Sequence, residues 1–334
     1  MFTTVSEVSE ADLLKRIFPR LPRASGALLG PGDDASVVAV PDGRVVISID
    51  TLVEEKDFRL ERPNGHITTG YDVGWKSAAQ NLSDINAMGG RATTMVVSLT
   101  LPGQTEVQWV EQLADGLCAA IVDLGADGCG VVGGDLGGGR EIVVTAAITG
   151  SLDGGEPILR AGAQVGDVVG LAGTVGFAGA GLALMESDHP AQSLDPHFLK
   201  FVEIQKRPRP PLQAGPAAAR AGATSMLDVS DGLLRDVGRL AQVSSVRIEL
   251  DQYALNQLAE PLREVGKLLC VDPMEWALGG GEDYSLLATF SPAVTLPEGF
   301  TAVGSVCAGL PGVTIGTQSP AIMGWDHFEG KNYR

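Results

Sequence analysis

The sequence lacks the motifs that mark several common classes of nucleotide-binding and hydrolytic enzyme. It has no GxxxxGK[ST] loop, which excludes a P-loop kinase, and it has no GxSxG or HExxH motif. A GxGxxG pattern occurs at 128–133, but a dinucleotide-binding loop opens a helix, whereas this pattern continues into the apolar pair Val131-Val132. A nucleotide would therefore have to be held by a different kind of site.

Cysteine and long apolar segments are also scarce. The four cysteines form no CxxC pair and no zinc spacing, which is typical of reduced thiols in a cytoplasmic protein. Residues 168–185 carry no charge, but glycines interrupt them, so we expect a strand, a turn and a helix there rather than a membrane span. The first residues are acidic and lack the apolar stretch of a signal peptide, so a cytoplasmic location is expected.

Positive charge is in the minority. There are 24 Lys and Arg against 41 Asp and Glu, which gives a formal net charge of -17. Such a surface repels nucleic acid and anionic membranes, so neither is an expected partner. Nucleotide binding is compatible with this charge only if divalent cations mediate it. Apolar residues make up 44% of the chain, enough for two packed cores, and 44 glycines indicate many tight turns.

The order of periodic segments predicts two α/β domains. Residues 44–50 and 93–101 are predicted strands, and 71–88 has the apolar spacing of a helix. Thr105 and Gln108 suggest a capping box at the start of the next helix. The turn-forming run SLDGGE places the domain boundary between residues 1–154 and 155–334. In the second half, further strands are predicted near 167–172, 225–228, 246–250, 285–290 and 301–306, and helices near 177–186, 212–222 and from 233 onward.

The chain carries a series of aspartates next to strand ends and helix starts. Any one of them could be a turn former or an N-cap. Asp84, however, lies inside an otherwise apolar helix, with Asn81 on nearly the same face. Asp228 ends an apolar strand, and Asp231 then precedes a helix, so a cation between the two carboxylates would relieve their repulsion. The motifs that contain these residues are PGDDA, SIDT, NLSDINAMGG, VVGGDLGGG and LDVSDGL.

Together with GGEDY and the terminal GWDHF, this ordered series resembles the thiamine-monophosphate kinase family of the aminoimidazole ribonucleotide synthetase-like superfamily. The resemblance runs from Gly32 nearly to the end of the chain, and NLSD-x-x-AMG with GGEDY carries most of its specificity. It implies a two-domain α/β (α+β) fold of the aminoimidazole ribonucleotide synthetase type. It also implies a homodimer in which the N-terminal sheets pair, with a first domain that binds metal and ATP and a second that completes the ATP and substrate site.

The resemblance implies a role for each matching position. Asp84 and Asp231 would be the catalytic metal-binding carboxylates, and Asp57 would lie where some members place a histidine near the substrate. Ile49 stands where the family often has threonine, so a metal contact there would use the backbone carbonyl. The implied metal ligands are Asp34, Ser48, Ile49, Asp50, Asp84, Asp135, Asp228 and Asp231. The implied ATP contacts are Gly134, Asp135, Arg160 and Ser230, and the implied substrate contacts are Asp57, Glu282 and Trp325.

The function that follows is ATP-dependent phosphorylation of thiamine monophosphate to thiamine diphosphate, assisted by several Mg²⁺ ions. Two unit charges about 4 Å apart repel by roughly 4 kcal/mol at an effective dielectric of 20, so cations must bring the two polyanions together. Whether a monovalent cation is also needed stays open. The alternatives are another ATP-using synthetase of the superfamily, of the aminoimidazole ribonucleotide or selenophosphate type, and a non-catalytic acidic metal-binding module.

Overall fold

A turn at residues 153–154 separates two units of the chain. The structure, a computed structural model, describes residues 3–29, 35–321 and 324–325. The first unit comprises Met1–Ile85 and Gly90–Gly155, and the second comprises Asn86–Gly89 and Glu156–Arg334. The predicted domains, 1–154 and 155–334, differ from these units by one residue at the boundary and by the segment Asn86–Gly89, which is part of the second unit.

The first unit is built around a four-stranded sheet. Its elements are α1 (Glu10–Ile17), β1 (Ala27–Leu29), β2 (Val37–Val38), β3 (Val46–Val53), α2 (Gly70–Ala87), β4 (Arg91–Leu101), α3 (Val107–Asp123), β5 (Gly130–Gly138) and β6 (Val143–Ser151). The sheet has the strand order β3-β6-β4-β5, and β1 and β2 form a separate antiparallel pair. Within the sheet β4 and β5 are parallel, and the other pairs are antiparallel.

One face of this sheet is covered and the other is open. Along β6, Val144, Ala146 and Ile148 are fully buried, whereas the residues between them are partly exposed. On β3, Ile47 and Ile49 point to the open face and are 70% and 63% exposed. Because successive side chains of a strand point to opposite faces, Ser48 and Asp50 share the covered face.

Helices α2 and α3 pack closely because glycines line their contact. A Cβ at Gly70 would lie 1.9 Å from the carbonyl oxygen of Trp109, and one at Gly74 would lie 2.0 Å from that of Leu113. No side chain fits at such distances, so the two helix backbones touch directly. This contact fixes α2, the helix that carries Asp84.

The second unit contains a six-stranded mixed sheet in the order β12-β9-β11-β7-β10-β8. Only β12 and β9 are parallel among its neighbouring strands in the described residues. Its elements are β7 (Val168–Ala172), α4 (Phe177–Glu186), α5 (Leu199–Lys206), α6 (Ala214–Ala221), β8 (Ser225–Val229), α7 (Leu233–Ser244), β9 (Arg247–Leu250), α8 (Gln252–Ala259), α9 (Arg263–Leu269), α10 (Pro273–Gly279), β10 (Ser285–Phe290), β11 (Phe300–Cys307) and β12 (Gly312–Ile315).

Helices cover both faces of this sheet. All six residues of β10 are buried. Leu287 belongs to the core cluster that includes α7, whereas Leu286 and Phe290 belong to the cluster that includes residues of α6. The mixed α/β class predicted for the chain is therefore confirmed in both units.

Two local predictions have different outcomes. The uncharged segment 168–185 forms β7 and most of α4 as expected, and no helix within the described residues is long and apolar enough to cross a membrane. The capping box at Thr105 is wrong. The N-cap of α3 is Glu106, and its side chain makes no capping hydrogen bond.

Candidate functional site

In the first unit, β3 and α2 bring two carboxylates together. Ser48 and Asp50 lie on the covered face of β3, and Asp84 lies in the last turns of α2. The Ser48 hydroxyl donates a hydrogen bond to Asp84 Oδ2. The Asp50 carboxyl group lies close enough to Asp84 for the two to interact.

The electrostatics of this pair are unfavourable without a cation. Burial, and next the charge of Asp84, raise the pKa of Asp50 from 3.8 to about 7. Among the described residues, neither carboxylate forms an ion pair with Lys or Arg. A divalent cation would supply the missing positive charge, and Mg²⁺ typically uses one or two carboxylates together with phosphate oxygens. The donor set of this pair therefore fits magnesium.

Two other predicted ligands of the first unit, Ile49 and Asp135, do not add a side chain to this pair. The Ile49 side chain lies on the opposite face, so only its backbone could contact a metal there. Asp34 lies outside the described residues. Within the described part of the chain, no three His, Cys, Asp or Glu side chains converge as a metal cluster would.

Asp135 is separated from Asp50 by the sheet itself. The strand registers align Asp50 with Ala146 of β6, and they align Asp135 with Ser98 of β4. Since β3 and β5 are the two edges, three strand spacings or about 14 Å separate them. Ser98 pairs with Thr145, the neighbour of Ala146, so Asp135 belongs to the open face. Asp135 is exposed there.

Gly134, the residue before it, has a structural reason to be glycine. A Cβ at this position would lie 2.0 Å from the carbonyl oxygen of Val97 on β4. The close approach of the two strands therefore requires glycine, independently of any nucleotide contact.

In the second unit, the loop after β8 meets the glycine run before β10. Asp228 lies at the end of β8 and is 5% exposed, while Ser230 and Asp231 follow in the loop before α7. The Glu282 N–H donates to the Ser230 carbonyl at 2.8 Å. A Cβ at Gly281 would lie 2.5 Å from the same carbonyl oxygen, so only glycine permits this contact. The backbone thus places Ser230, Asp231 and Glu282 side by side.

Glu282 has a strained backbone and a fixed side chain. Its φ is 67°, and Tyr284 has a φ of 53°, both in the left-handed region that disfavours residues other than glycine. Gln205 Nε2, on α5, donates to Glu282 Oε2 at 2.9 Å. Gln205 is itself buried.

Asp283 holds this strained loop in place. Its carboxylate accepts hydrogen bonds from Thr174 Oγ1 at 3.0 Å and from the N–H groups of Phe177 and Ala178 at 3.2 Å, at the start of α4. Burial raises the pKa of Asp283 to about 7, and these donors oppose that shift. Asp283 is 3% exposed, so this position of the GGEDY motif is buried rather than solvated.

Trp325 lies against the same loop. The backbone N–H of Trp325 donates to the Asp231 carbonyl at 2.9 Å, and the residue is 36% exposed. The chain therefore folds back over the start of α7, as a substrate contact by this residue requires. A tryptophan with this exposure is not a core residue.

Asp231 is also part of an ion-pair network that the sequence analysis missed. Arg239 Nη1 lies 2.6 Å from Asp231 Oδ2 and 2.7 Å from Asp236 Oδ1. The Asp231 N–H donates to Asp236 Oδ2 at 3.0 Å. Burial, and next the charge of Asp231, raise the pKa of Asp236 to about 6. The i, i+3 spacing of Asp236 and Arg239 was the available signal, but it also describes an ordinary surface pair.

Two other predicted contacts, Arg160 in the second unit and Asp57 in the first, have partners of their own. The Arg160 carbonyl accepts from Ser244 at the end of α7, and the Leu159 carbonyl accepts from the N–H of Met226 near the start of β8. Arg160 thus lies at the end of α7 opposite to Asp231, and a helix of 12 residues spans about 18 Å. Asp57 accepts a hydrogen bond from the Val53 N–H at 2.7 Å in the turn after β3.

Comparisons with known proteins agree on one family. A family model described as AIR synthase related protein, N-terminal domain, matches residues 32–152. The thiamine-monophosphate kinase of Mycobacterium tuberculosis is 39% identical over 329 residues, which cover 97% of this chain and 93% of the relative. The thiamine-monophosphate kinase of Corynebacterium glutamicum is 33% identical over 332 residues, which cover 97% of this chain and 95% of the relative.

Solved structures show the same relationship. Thiamine-monophosphate kinase from Stenotrophomonas maltophilia has a TM-score of 0.76 at 28% identity and covers 94% of this chain and 98% of its own. AaThiL complexed with AMPPCP and TMP has a TM-score of 0.72 at 29% identity, with 95% and 96% covered. The hydrogenase maturation protein HypE of E. coli has a TM-score of 0.64 at 15% identity and covers 94% of this chain and 97% of its own. This similarity shows a shared fold alone.

Proposed function

Because the chain belongs to the thiamine-monophosphate kinase family, we propose that it transfers the γ-phosphoryl group of ATP to thiamine monophosphate. The products are thiamine diphosphate and ADP. The observation that carries this proposal within the structure is the Asp50–Asp84 pair, two neighbouring carboxyl groups that have no Lys or Arg partner among the described residues. Such a pair is suited to a cation that arrives with the nucleotide.

The proposal includes Mg²⁺ as the cofactor. In the first unit Asp50 and Asp84 would hold Mg²⁺, and the hydrogen bond from Ser48 would fix the orientation of Asp84. In the second unit Asp228 and Asp231 would also hold Mg²⁺. When bound, Mg²⁺ neutralises the charge of the phosphates and stabilises the charge that develops during transfer. The contacts predicted for Asp34, Ile49, Asp57, Asp135 and Arg160 stay predictions.

The chemistry needs little from the side chains beyond positioning. A phosphate monoester is mostly ionised at neutral pH, because its second pKa is about 6, so its oxygen can attack without a general base. The new bond forms between this oxygen and the γ-phosphorus as the bond to the β–γ bridging oxygen breaks, and ADP leaves with that electron pair. Catalysis of this kind rests on orientation and electrostatics.

The second unit offers recognition of thiamine. The Glu282 carboxylate is held by Gln205 and lies beside the loop that Trp325 covers. The thiazolium ring is a fixed cation, so a carboxylate can offset its charge and an indole can stack on it with about 0.5–2 kcal/mol of cation–π attraction. Substrate choice would therefore reside in Glu282 and Trp325.

A homodimer completes the proposal. The open face of the first unit's sheet presents Ile47, Ile49 and Val96, which are 70%, 63% and 41% exposed. Pairing of two such faces would remove this apolar surface from water. Ile49→Asp should convert a dimer to a monomer in sedimentation analysis, whereas Val243→Asp, at a 53% exposed position of α7, should not. A monomeric wild-type protein would refute this part.

The activity is tested by product analysis with ATP, magnesium and thiamine monophosphate. Thiamine diphosphate should form in a one-to-one ratio with ADP, and EDTA should abolish both products. Release of inorganic phosphate without thiamine diphosphate would instead indicate a synthetase of the same superfamily. Magnesium binding without any turnover of ATP would indicate a non-catalytic metal-binding protein.

A further inference from the structure

Arg239 occupies the position that a cation would take at Asp231. One of its nitrogens, Nη1, lies 2.6 Å from Asp231 Oδ2 and 2.7 Å from Asp236 Oδ1, so a single guanidinium group bridges two carboxylates. The guanidinium is protonated at all physiological pH values. Asp231 is therefore neutralised by the protein itself, unlike the Asp50–Asp84 pair.

Asp236 anchors this bridge from within α7. Its side chain is fully buried, and its second oxygen accepts the Asp231 N–H at 3.0 Å. Asp236 thus fixes both the backbone of Asp231 and the guanidinium of Arg239. The Arg239 side chain is 39% exposed, so it can move away from Asp231 while it remains paired with Asp236.

We propose that Arg239 is an internal counter-cation, which holds the Asp231 carboxylate in the metal-free protein and releases it to a divalent cation. The inference rests on the metal-ligand role of Asp231 in the proposed function. Arg239 and a metal ion compete for the same carboxylate oxygen, because two cations next to one oxygen repel each other. Asp236 is the positioning residue that retains the guanidinium after release.

The competition predicts opposite effects on metal-free stability and on metal affinity. Without the guanidinium, Asp231 and the buried Asp236 lose their counter-charge, so the metal-free protein becomes less stable. The same change leaves Asp231 available, so the divalent cation binds more tightly. A residue that merely supports the fold would lower stability without raising metal affinity.

The test is Arg239→Gln, measured with Mg²⁺ alone and no nucleotide. The midpoint temperature of thermal unfolding in EDTA should fall by about 2–4 °C relative to the wild type. The Mg²⁺ concentration that gives half of the maximal thermal shift should fall about fivefold, which corresponds to roughly 1 kcal/mol. Arg263→Gln, which removes the i, i+3 pair with Glu260 on an exposed surface, should leave that concentration unchanged. An unchanged or higher Mg²⁺ requirement in Arg239→Gln would overturn the proposal.

A double-mutant cycle separates this inference from the proposed function. Asp231→Asn alone should weaken Mg²⁺ binding, and Arg239→Gln should have no further effect in that background. If Asp231→Asn leaves Mg²⁺ binding unchanged, the ligand role itself fails. If Asp231→Asn weakens binding but Arg239→Gln does not tighten it, only the counter-cation role fails.

The cycle stays informative if Arg239→Gln alone does not fold. Asp236→Asn removes the buried charge, so the double variant Asp236→Asn/Arg239→Gln avoids an uncompensated carboxylate in the core. Compared with Asp236→Asn alone, it should show the same tightening of Mg²⁺ binding. Equal binding by the two proteins would count against the proposal.

Discussion

Removing a carboxylate from the proposed metal site should stabilise the metal-free protein. Asp50→Asn eliminates the group whose pKa is raised from 3.8 to about 7 by burial and by Asp84. The folded state therefore binds more protons than the unfolded chain between about pH 4 and pH 7. Stability contributed by the protonated form is present below pH 4 and is lost as the pH rises through 7.

The size of the effect follows from that shift. One pKa unit corresponds to 1.36 kcal/mol, so a shift from 3.8 to about 7 sets an upper limit of about 4 kcal/mol. Solvent screening and relaxation of the pair reduce this, and we expect about 1–2 kcal/mol at pH 8. In a chain of this size that gain raises the unfolding temperature by roughly 2–6 °C.

The assay is calorimetric unfolding in EDTA at pH 5 and pH 8. Asp50→Asn should be more stable than the wild type at pH 8, and the difference should shrink at pH 5, where Asp50 is protonated. Added Mg²⁺ should stabilise the wild type more than the variant. Asp188→Asn, at an exposed position, makes the same change in net charge and should show none of these effects. A variant that is less stable at pH 8, or a difference that is equal at both pH values, would refute the reasoning.

Substitutions at three further positions test other parts of the two sites. Asp84→Asn should lower kcat by orders of magnitude with the fold intact, because a lost metal ligand acts at the transition state, and more than about half of the activity at saturating Mg²⁺ would exclude a ligand role. Trp325→Ala should raise the KM for thiamine monophosphate about tenfold, since about 1.4 kcal/mol corresponds to that factor. The KM for ATP should stay within about twofold. A change in thermal stability with both KM values unchanged would contradict this prediction. Gln205→Ala should raise the KM for thiamine monophosphate about two- to tenfold, because Glu282 loses a charge-assisted hydrogen bond. Gln205→Glu should raise this KM further, because its carboxylate repels that of Glu282. Equal KM values in the two variants would show that Gln205 does not act through Glu282.

Most strands of the second unit and the long helices could be predicted from the sequence, whereas several short helices could not. Helix α2 was predicted at 71–88 and is found at Gly70–Ala87, and β10 was predicted at 285–290, where it is found. Helices α5, α8 and α9 were missed. Each has only seven or eight residues, or about two turns, which gives too few repeats for the 3.6-residue period to stand out.

The position of Asp135 shows why the site could be predicted only in part. Between β4 and β5 the register shifts by one residue, because Met95 pairs with Val131 but Val96 pairs with Gly133. Without this bulge, Asp135 would pair with Leu99 and share the covered face with Asp50. A one-residue shift reverses the face of every later side chain. The glycines of GVVGGD permit a bulge, but they do not show at which residue the register shifts.

The burial of Asp236 could not be predicted from the sequence either. The spacing of Asp236 and Arg239 is visible in the sequence, but i, i+3 pairs of this kind are usually solvated. Asp236 is fully buried because α7 packs between the sheet and α10, and that packing depends on residues far along the chain. The acidic motifs therefore identified candidate ligands, whereas the groups that neutralise them became visible only in the structure.

The two units neutralise their carboxylates in different ways, and this difference has a consequence for pH. In the first unit burial and the charge of Asp84 raise the pKa of Asp50 to about 7, so Asp50 must lose its proton before a cation can bind both groups. In the second unit the Arg239 guanidinium offsets the charge of Asp231, and it stays protonated throughout. Competition with protons should therefore act mainly on the first unit. Between pH 8 and pH 6, the Mg²⁺ concentration needed for half-maximal activity should rise in the wild type. Arg239→Gln should show the same rise, because the guanidinium that it removes does not titrate in this range; an unchanged Mg²⁺ requirement in the wild type would contradict this.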